Sequence, residues 1–259
     1  MHDLLRDNPI SNFSRGFLYP FRGGRFLLRS PRLWKYVVVP FLINLVIFSL
    51  SVWFGLDFFN DKIVAMIPSG EAWYWVILYY LLWVVAIALT AVLVFFTFTV
   101  VGLLIASPFN DLLSERTEEV KLGTAEGIPF SFAATGKILF EEAKKMAVFV
   151  VGMLLLLLLN LIPGIGTLIY SVLSFLFTVF FLAVEYSGFV FSRKGEGFRQ
   201  QRRYLLQRKF LNFGFGVGVL CLLAIPFLQF FCIPLGVIGA TLLWCDTRET
   251  GHQTVGGEG

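Results

Sequence analysis

Histidine is almost missing from this chain. His2 and His252 are the only two, and both lie near the ends. A histidine-based metal centre or a nucleophile–histidine–acid triad has nothing to be built from. Cysteine is scarce as well. Cys221, Cys232 and Cys245 sit in or beside one apolar run, odd in number and without CxxC spacing. That argues against a disulfide framework and a thiolate zinc site, and leaves three small apolar side chains. Charge is thin at 15% of residues, and the stretches 72–110, 146–184 and 210–245 hold none at all. No central Asp, Glu, Lys or Arg marks a proton relay or an ion-coupling site inside them. There is no GxxxxGK[ST], so ATP-driven work would need a separate subunit. Paired acids, metal ligands and nucleophile–base sets are lacking too. No catalytic residue, metal or cofactor is assigned, an enzyme is not expected, and no nucleic-acid partner is expected.

What is there is apolar. Hydrophobic residues make up 57% of the chain and thirty are Phe, which fits lipid-facing helices rather than a water-facing surface. The expectation is an all-α integral membrane protein forming a single membrane domain over residues 1–259. Residues 1–36 form a basic segment with Arg6, Arg15, Arg22, Arg25, Arg29, Arg32 and Lys35, with no secretory signal visible. A first spanning helix covers 37–56. The loop from Asp57 to Glu71 has three acids against one lysine, so the positive-inside rule puts the N-terminus in the cytoplasm. A second spanning helix covers 72–106. It belongs to a charge-free run of 39 residues, nearly 60 Å of helix against a core of about 30 Å, so it is strongly tilted or projects beyond the bilayer. "SPFNDLLSERTEEV" then predicts a short amphipathic helix over 107–120, with Ser107 as N-cap, Pro108 in the first turn, and Leu112 and Leu113 opposite the acids. Residues 247–259 are expected to be a flexible tail.

Two broken apolar runs remain, 146–184 and 210–245. "NLIPGIGTLIY" places Pro163, Gly164 and Gly166 at the centre of the first, and "AIPFLQFFCIPLG" places Pro226 in the second. Both read as helical hairpins that start and finish on the cytoplasmic side, because the segment between them, Arg193 to Lys209, has seven basic residues and one acid. The arms 147–161 and 210–224 are each 15 residues, about 22 Å of helix, which favours half-inserted hairpins over full crossings.

Non-helical backbone at membrane depth needs cover from protein or access to water. Paired, Pro/Gly-broken short segments point to a transport site, where free N–H groups hold an anion without a side-chain charge. Gly164, Gly166 and Gly236 are candidates for such backbone contacts. Asn160 and Gln229 are the side-chain amides nearest the breaks. Arg25, Arg29, Arg32 and Lys35 would draw an anion to the cytoplasmic mouth. Asn110 and Glu115 would shape an exit. Each has a plain alternative: tight αα-turns, topology-setting charges that bind lipid headgroups, and helix capping.

The stretches "PRLWKYVVVPFLIN", "SPFNDLLSERTE", "NLIPGIG" and "IPLGVIGATLLWCD", in this order from Pro31 to Asp246, resemble the CysZ family of bacterial sulfate permeases, within the wider membrane family of etoposide-induced proteins. The resemblance implies an inner-membrane protein with two long spanning helices and two half-inserted hairpins, assembled as a homo-oligomer and importing sulfate for cysteine synthesis. The family's sulfate-binding segment has two adjacent arginines after Pro and Gly. Here Arg32 stands at the Gly, Trp34 at the first arginine and Lys35 at the second. Where the family often has Tyr-x-Asp-Tyr-Pro, this chain has "EYSGFVF". The competing reading is a non-transporting scaffold whose leaflet-embedded hairpins recruit partners or bend the bilayer.

Overall fold

The computed structural model describes residues 8–63, 73–125 and 132–255. Among them there are helices and turns and no strand, as expected of an all-α protein. Eight α-helices follow in order: α1 Pro9–Arg29, α2 Pro31–Phe58, α3 Trp73–Leu122, α4 Phe132–Leu158, α5 Gly166–Arg193, α6 Phe198–Gln207, α7 Lys209–Ala224 and α8 Gln229–Val255. Four stretches are long and apolar enough to cross a membrane: Pro31–Phe58, Trp73–Phe98, Phe140–Leu161 and Gly166–Arg193.

The chain divides into two compact units. One is Lys35–Phe109, and the other joins the preceding segment to everything from Asn110 onward. Inside the smaller unit α2 and α3 pack through aromatic edges, Phe48 on Phe98 at 5.2 Å and Phe59 on Trp83 at 5.9 Å between centroids. Gly55 permits the approach, since a Cβ there would lie 2.5 Å from Val94 Cγ2. Most other large apolar side chains of this pair are exposed, the pattern of helices whose solvent is lipid.

The larger unit has a protein core. α1 packs along α7 and α8 with its backbone almost touching theirs. A Cβ on Gly16 would overlap the Leu211 carbonyl, and one on Gly214 would overlap that of Phe13. Phe215, Val219 and Leu222 of α7 and Val237, Ile238 and Leu243 of α8 are buried as a result. The two hairpins therefore differ in surroundings. The second is covered by α1, whereas the first, α4 with α5, exposes Leu154, Leu155, Leu158, Leu168 and Val172.

Several expectations need correcting. Residues 9–29 of the basic N-terminal segment are helical: Asn8 caps α1 by accepting the Ile10 N–H at 3.1 Å, and Pro9 starts the helix. The next helix begins at Pro31, six residues before the apolar run. No helix starts at Ser107, because α3 runs unbroken through Pro108 to Leu122. The far end of α3 is not amphipathic in the expected sense either: Leu113, Ser114, Thr117 and Glu118 are buried together while Leu112 is exposed. The length argument understates the first hairpin, whose arms of 22 and 28 residues are both long enough to cross. α8 continues to Val255 where a tail was expected, because Thr247 and Arg208 tie it to the bend below α6.

That bend has a clear cause. α6 and α7 meet at 102°, and Asn212 Nδ2 donates at 3.1 Å both to the Leu205 carbonyl, which α6 leaves open at its end, and to the Arg208 carbonyl, which also accepts the Asn212 backbone N–H. At the other end of α6, Glu141 accepts the Phe198 N–H at 3.1 Å.

Candidate functional site

Three arginines of α1, Arg22, Arg25 and Arg29, fall three and four residues apart and so share one helix face. The opposite face of α1 is what the packing with α7 and α8 consumes. The basic face borders a pocket of about 200 Å³ lined by Tyr19, Arg22, Arg25, Phe26 and Arg29 of α1, Lys121 at the end of α3, and Leu242 and Asp246 of α8. At about 30 Å³ per water, the space takes several waters or one tetrahedral oxyanion. Four cations and one carboxylate give it a formal charge of 4 − 1 = +3.

Asp246 organises the inner wall. Tyr19 Oη donates to its Oδ2 at 2.9 Å, and Lys121 Nζ lies 2.9 Å from Oδ1. Tyr19 is 1% exposed. Burial first, and then the charge of Asp246, hold its hydroxyl protonated far above the usual phenol range, so it acts here as a fixed donor. The Arg22 guanidinium lies over the Tyr19 ring, 5.1 Å from the centroid. The arginines themselves are exposed at the rim.

One turn back on α3 lies a second charged group. Glu118, with its side chain 2% exposed, receives Lys194 Nζ at 2.9 Å and the Arg193 guanidinium, both cations being 7% exposed. Lys194 also sits over the Trp244 ring at 4.2 Å, with Arg248 near the same ring at 5.1 Å. Ser114 and Thr241 share a buried hydrogen bond at 3.0 Å. This pairing of α3, α5 and α8 holds Lys121 and Asp246 in register at the pocket wall. Nearby, Asp111 is pushed up from 3.8 to about 6, by burial first, against the pull of Arg193.

The residues singled out from sequence are distributed as follows. Arg25 and Arg29 come together at the pocket. Arg32 and Lys35 lie exposed at the start of α2, with the Lys35 ammonium 4.9 Å from the Tyr36 ring centroid. Gly164, at φ +83°, makes the turn between α4 and α5, and Gly166 closes it by donating its N–H to Ile162 O at 3.2 Å. That N–H is committed to the turn. Gly236 faces the ring of Tyr186, where a Cβ would lie 2.3 Å from Cε1, so it is a packing residue of α8. Asn160 is exposed in the first turn, and Gln229 is exposed where α8 begins. Asn110 and Glu115 are half-buried on α3. Sequence reasoning missed Tyr19, Lys121 and Asp246. The 3–4 spacing of Arg22, Arg25 and Arg29 beside Phe13, Phe17 and Tyr19 was the available signal for α1, but no signal pairs Lys121 with Asp246 across the chain.

The model of the family described as Sulfate transporter CysZ/Etoposide-induced protein 2.4 matches residues 19–234. The chain belongs to this family. Among its relatives, a protein named Sulfate transporter CysZ from Pectobacterium atrosepticum is 35% identical over 246 residues, covering 92% of this chain and 87% of the relative. Proteins of the same name from Pseudomonas paraeruginosa and Pseudomonas aeruginosa are 33% identical over 236 residues, covering 90% of this chain and 94% of theirs. The match to the family model takes in α1 from Tyr19 together with Arg22, Arg25, Arg29 and Lys121.

Proposed function

We propose that this chain is a sulfate permease of a bacterial membrane, and that it gathers the anion at the basic pocket beside α1. The observation that carries the siting is the pocket's composition: three arginines on one helix face and Lys121 opposite them, in a protein whose relatives are named sulfate transporters. Guanidinium groups donate in pairs to tetrahedral oxyanions, and a site of net positive charge raises the local anion concentration. Arg32 at the start of α2 would extend the approach. The membrane is the inner one, with α1 on the cytoplasmic side, as the basic loops favour. A homo-oligomer belongs to this reading as the resemblance to the family implies. The relatives' transporter names speak against an enzyme.

The test is uptake of radiolabelled sulfate into liposomes holding the purified protein. Uptake well above empty liposomes, reduced by excess unlabelled sulfate or sulfite, supports the reading. Folded protein that moves no oxyanion would refute it and favour the scaffold.

A further inference from the structure

A carboxylate is an odd tenant of a pocket meant for an anion. Among the described residues lining the pocket, Asp246 is the one acid. Its Oδ2 accepts a hydrogen bond from Tyr19 Oη at 2.9 Å, while its Oδ1 forms an ion pair with Lys121 Nζ at 2.9 Å without hydrogen-bond geometry. Its side chain is only 20% exposed and that of Lys121 26%, so the pair sits at the back of a basic funnel. An oxyanion arriving past Arg25 and Arg29 meets Tyr19 already hydrogen-bonded to a carboxylate and Lys121 already paired with the same charge.

Resting on the functional reading above, we infer that Asp246 is a tethered counter-ion that competes with the transported oxyanion for Lys121, and thereby sets how tightly the pocket holds sulfate and how quickly it lets go. Conduction requires binding strong enough to admit an ion and weak enough to release it. Four cations around a small pocket would hold a dianion too firmly, and a fifth, negative group on a helix offsets them without narrowing the entrance. When the pocket is empty, the same carboxylate limits repulsion between Lys121 and the arginines. When sulfate enters, Lys121 turns from Asp246 to the anion. When Asp246 recaptures Lys121, the anion loses a contact and leaves.

Asp246→Asn keeps the shape and an acceptor for Tyr19 but removes the charge. Sulfate uptake into liposomes, measured across sulfate concentrations, is expected to show KM falling on the order of tenfold and the maximal rate falling with it. Asp246→Glu keeps the charge and is expected to stay within about threefold of the parent in both. A purely structural role for Asp246 would cut the rate without tightening KM. If the single variant proves too unstable, Lys121→Gln with Asp246→Asn replaces the ion pair by a neutral one. Its KM should then differ from that of Lys121→Gln by less than Asp246→Asn differs from the parent, because the competition has lost its object and only the field of the carboxylate remains. Asp246→Asn with KM unchanged or raised overturns the inference. Arg25→Ala separates the cases: if it raises KM while Asp246→Asn does not lower it, only the counter-ion idea falls. If both variants leave KM unaltered, the pocket reading falls with it.

Discussion

Replacing Glu118 by Gln removes one charge from the most enclosed ion group in the described part of the molecule. The carboxylate is 2% exposed and is shared by Arg193 and Lys194, each 7% exposed. Gln keeps the volume and an acceptor oxygen, so packing barely changes. What changes is that two buried cations lose the negative charge of Glu118. Breaking a buried pair by removing one partner costs about 3–5 kcal/mol. The Lys194 contact with the Trp244 ring at 4.2 Å is the same in parent and variant and drops out of the difference, so a loss of at least about 3 kcal/mol is expected. At 1.4 kcal/mol per tenfold, the unfolded fraction rises by more than about a hundredfold. Equilibrium denaturation in mixed micelles, followed by Trp fluorescence, reads this directly. Adding Arg193→Met should recover a good part of the loss, since it takes away one of the two buried cations that Glu118 balanced. A loss below about 1 kcal/mol, typical of exposed pairs, would refute the claim that this group is dry and that it fixes α3, α5 and α8 together.

Other expectations follow from single contacts. Gly214→Ala would push a Cβ into the Phe13 carbonyl, at 2.1 Å without relaxation. A destabilisation of about 1–3 kcal/mol, with α1 becoming protease-sensitive, is expected. Asp111 carries a folded-state carboxyl raised to about 6 by burial. Keeping it ionised is therefore a cost, absent at low pH and incurred as pH rises from about 4 through about 6. Thermal stability should decline across that window, and Asp111→Asn should flatten the decline; an unchanged profile would contradict it.

How much of this was legible beforehand can be judged element by element. The apolar runs and their breaks at Pro163 and Pro226 are local features, and the turns lie where those residues are. Apolarity alone did not show that the second hairpin is wrapped by α1, because Gly16 and Gly214 signal close approach only once both helices are in place. The N-terminal segment was read by charge, and its periodicity, which makes α1 an amphipathic helix, was passed over. Ser107 and Pro108 look like a helix start, yet a proline costs a long helix one hydrogen bond, and the contacts of Leu113, Thr117 and Glu118 in the core carry α3 past it. Of the site, Arg25 and Arg29 were readable as cations near a membrane surface. Tyr19, Lys121 and Asp246 were not, since their meeting spans 227 positions of the chain and depends on how α1, α3 and α8 pack.

The account turns on the claim that the α1 pocket handles the anion. Initial rates of sulfate uptake should be measured for the parent and for the Arg25→Ala, Arg29→Ala double variant, reconstituted at equal density, at sulfate well below saturation. Losing two charge-assisted contacts, each worth about 1.5–3 kcal/mol, is expected to slow uptake at least tenfold while the protein stays folded. Uptake at the parent's rate would contradict the account and move the anion's path away from α1.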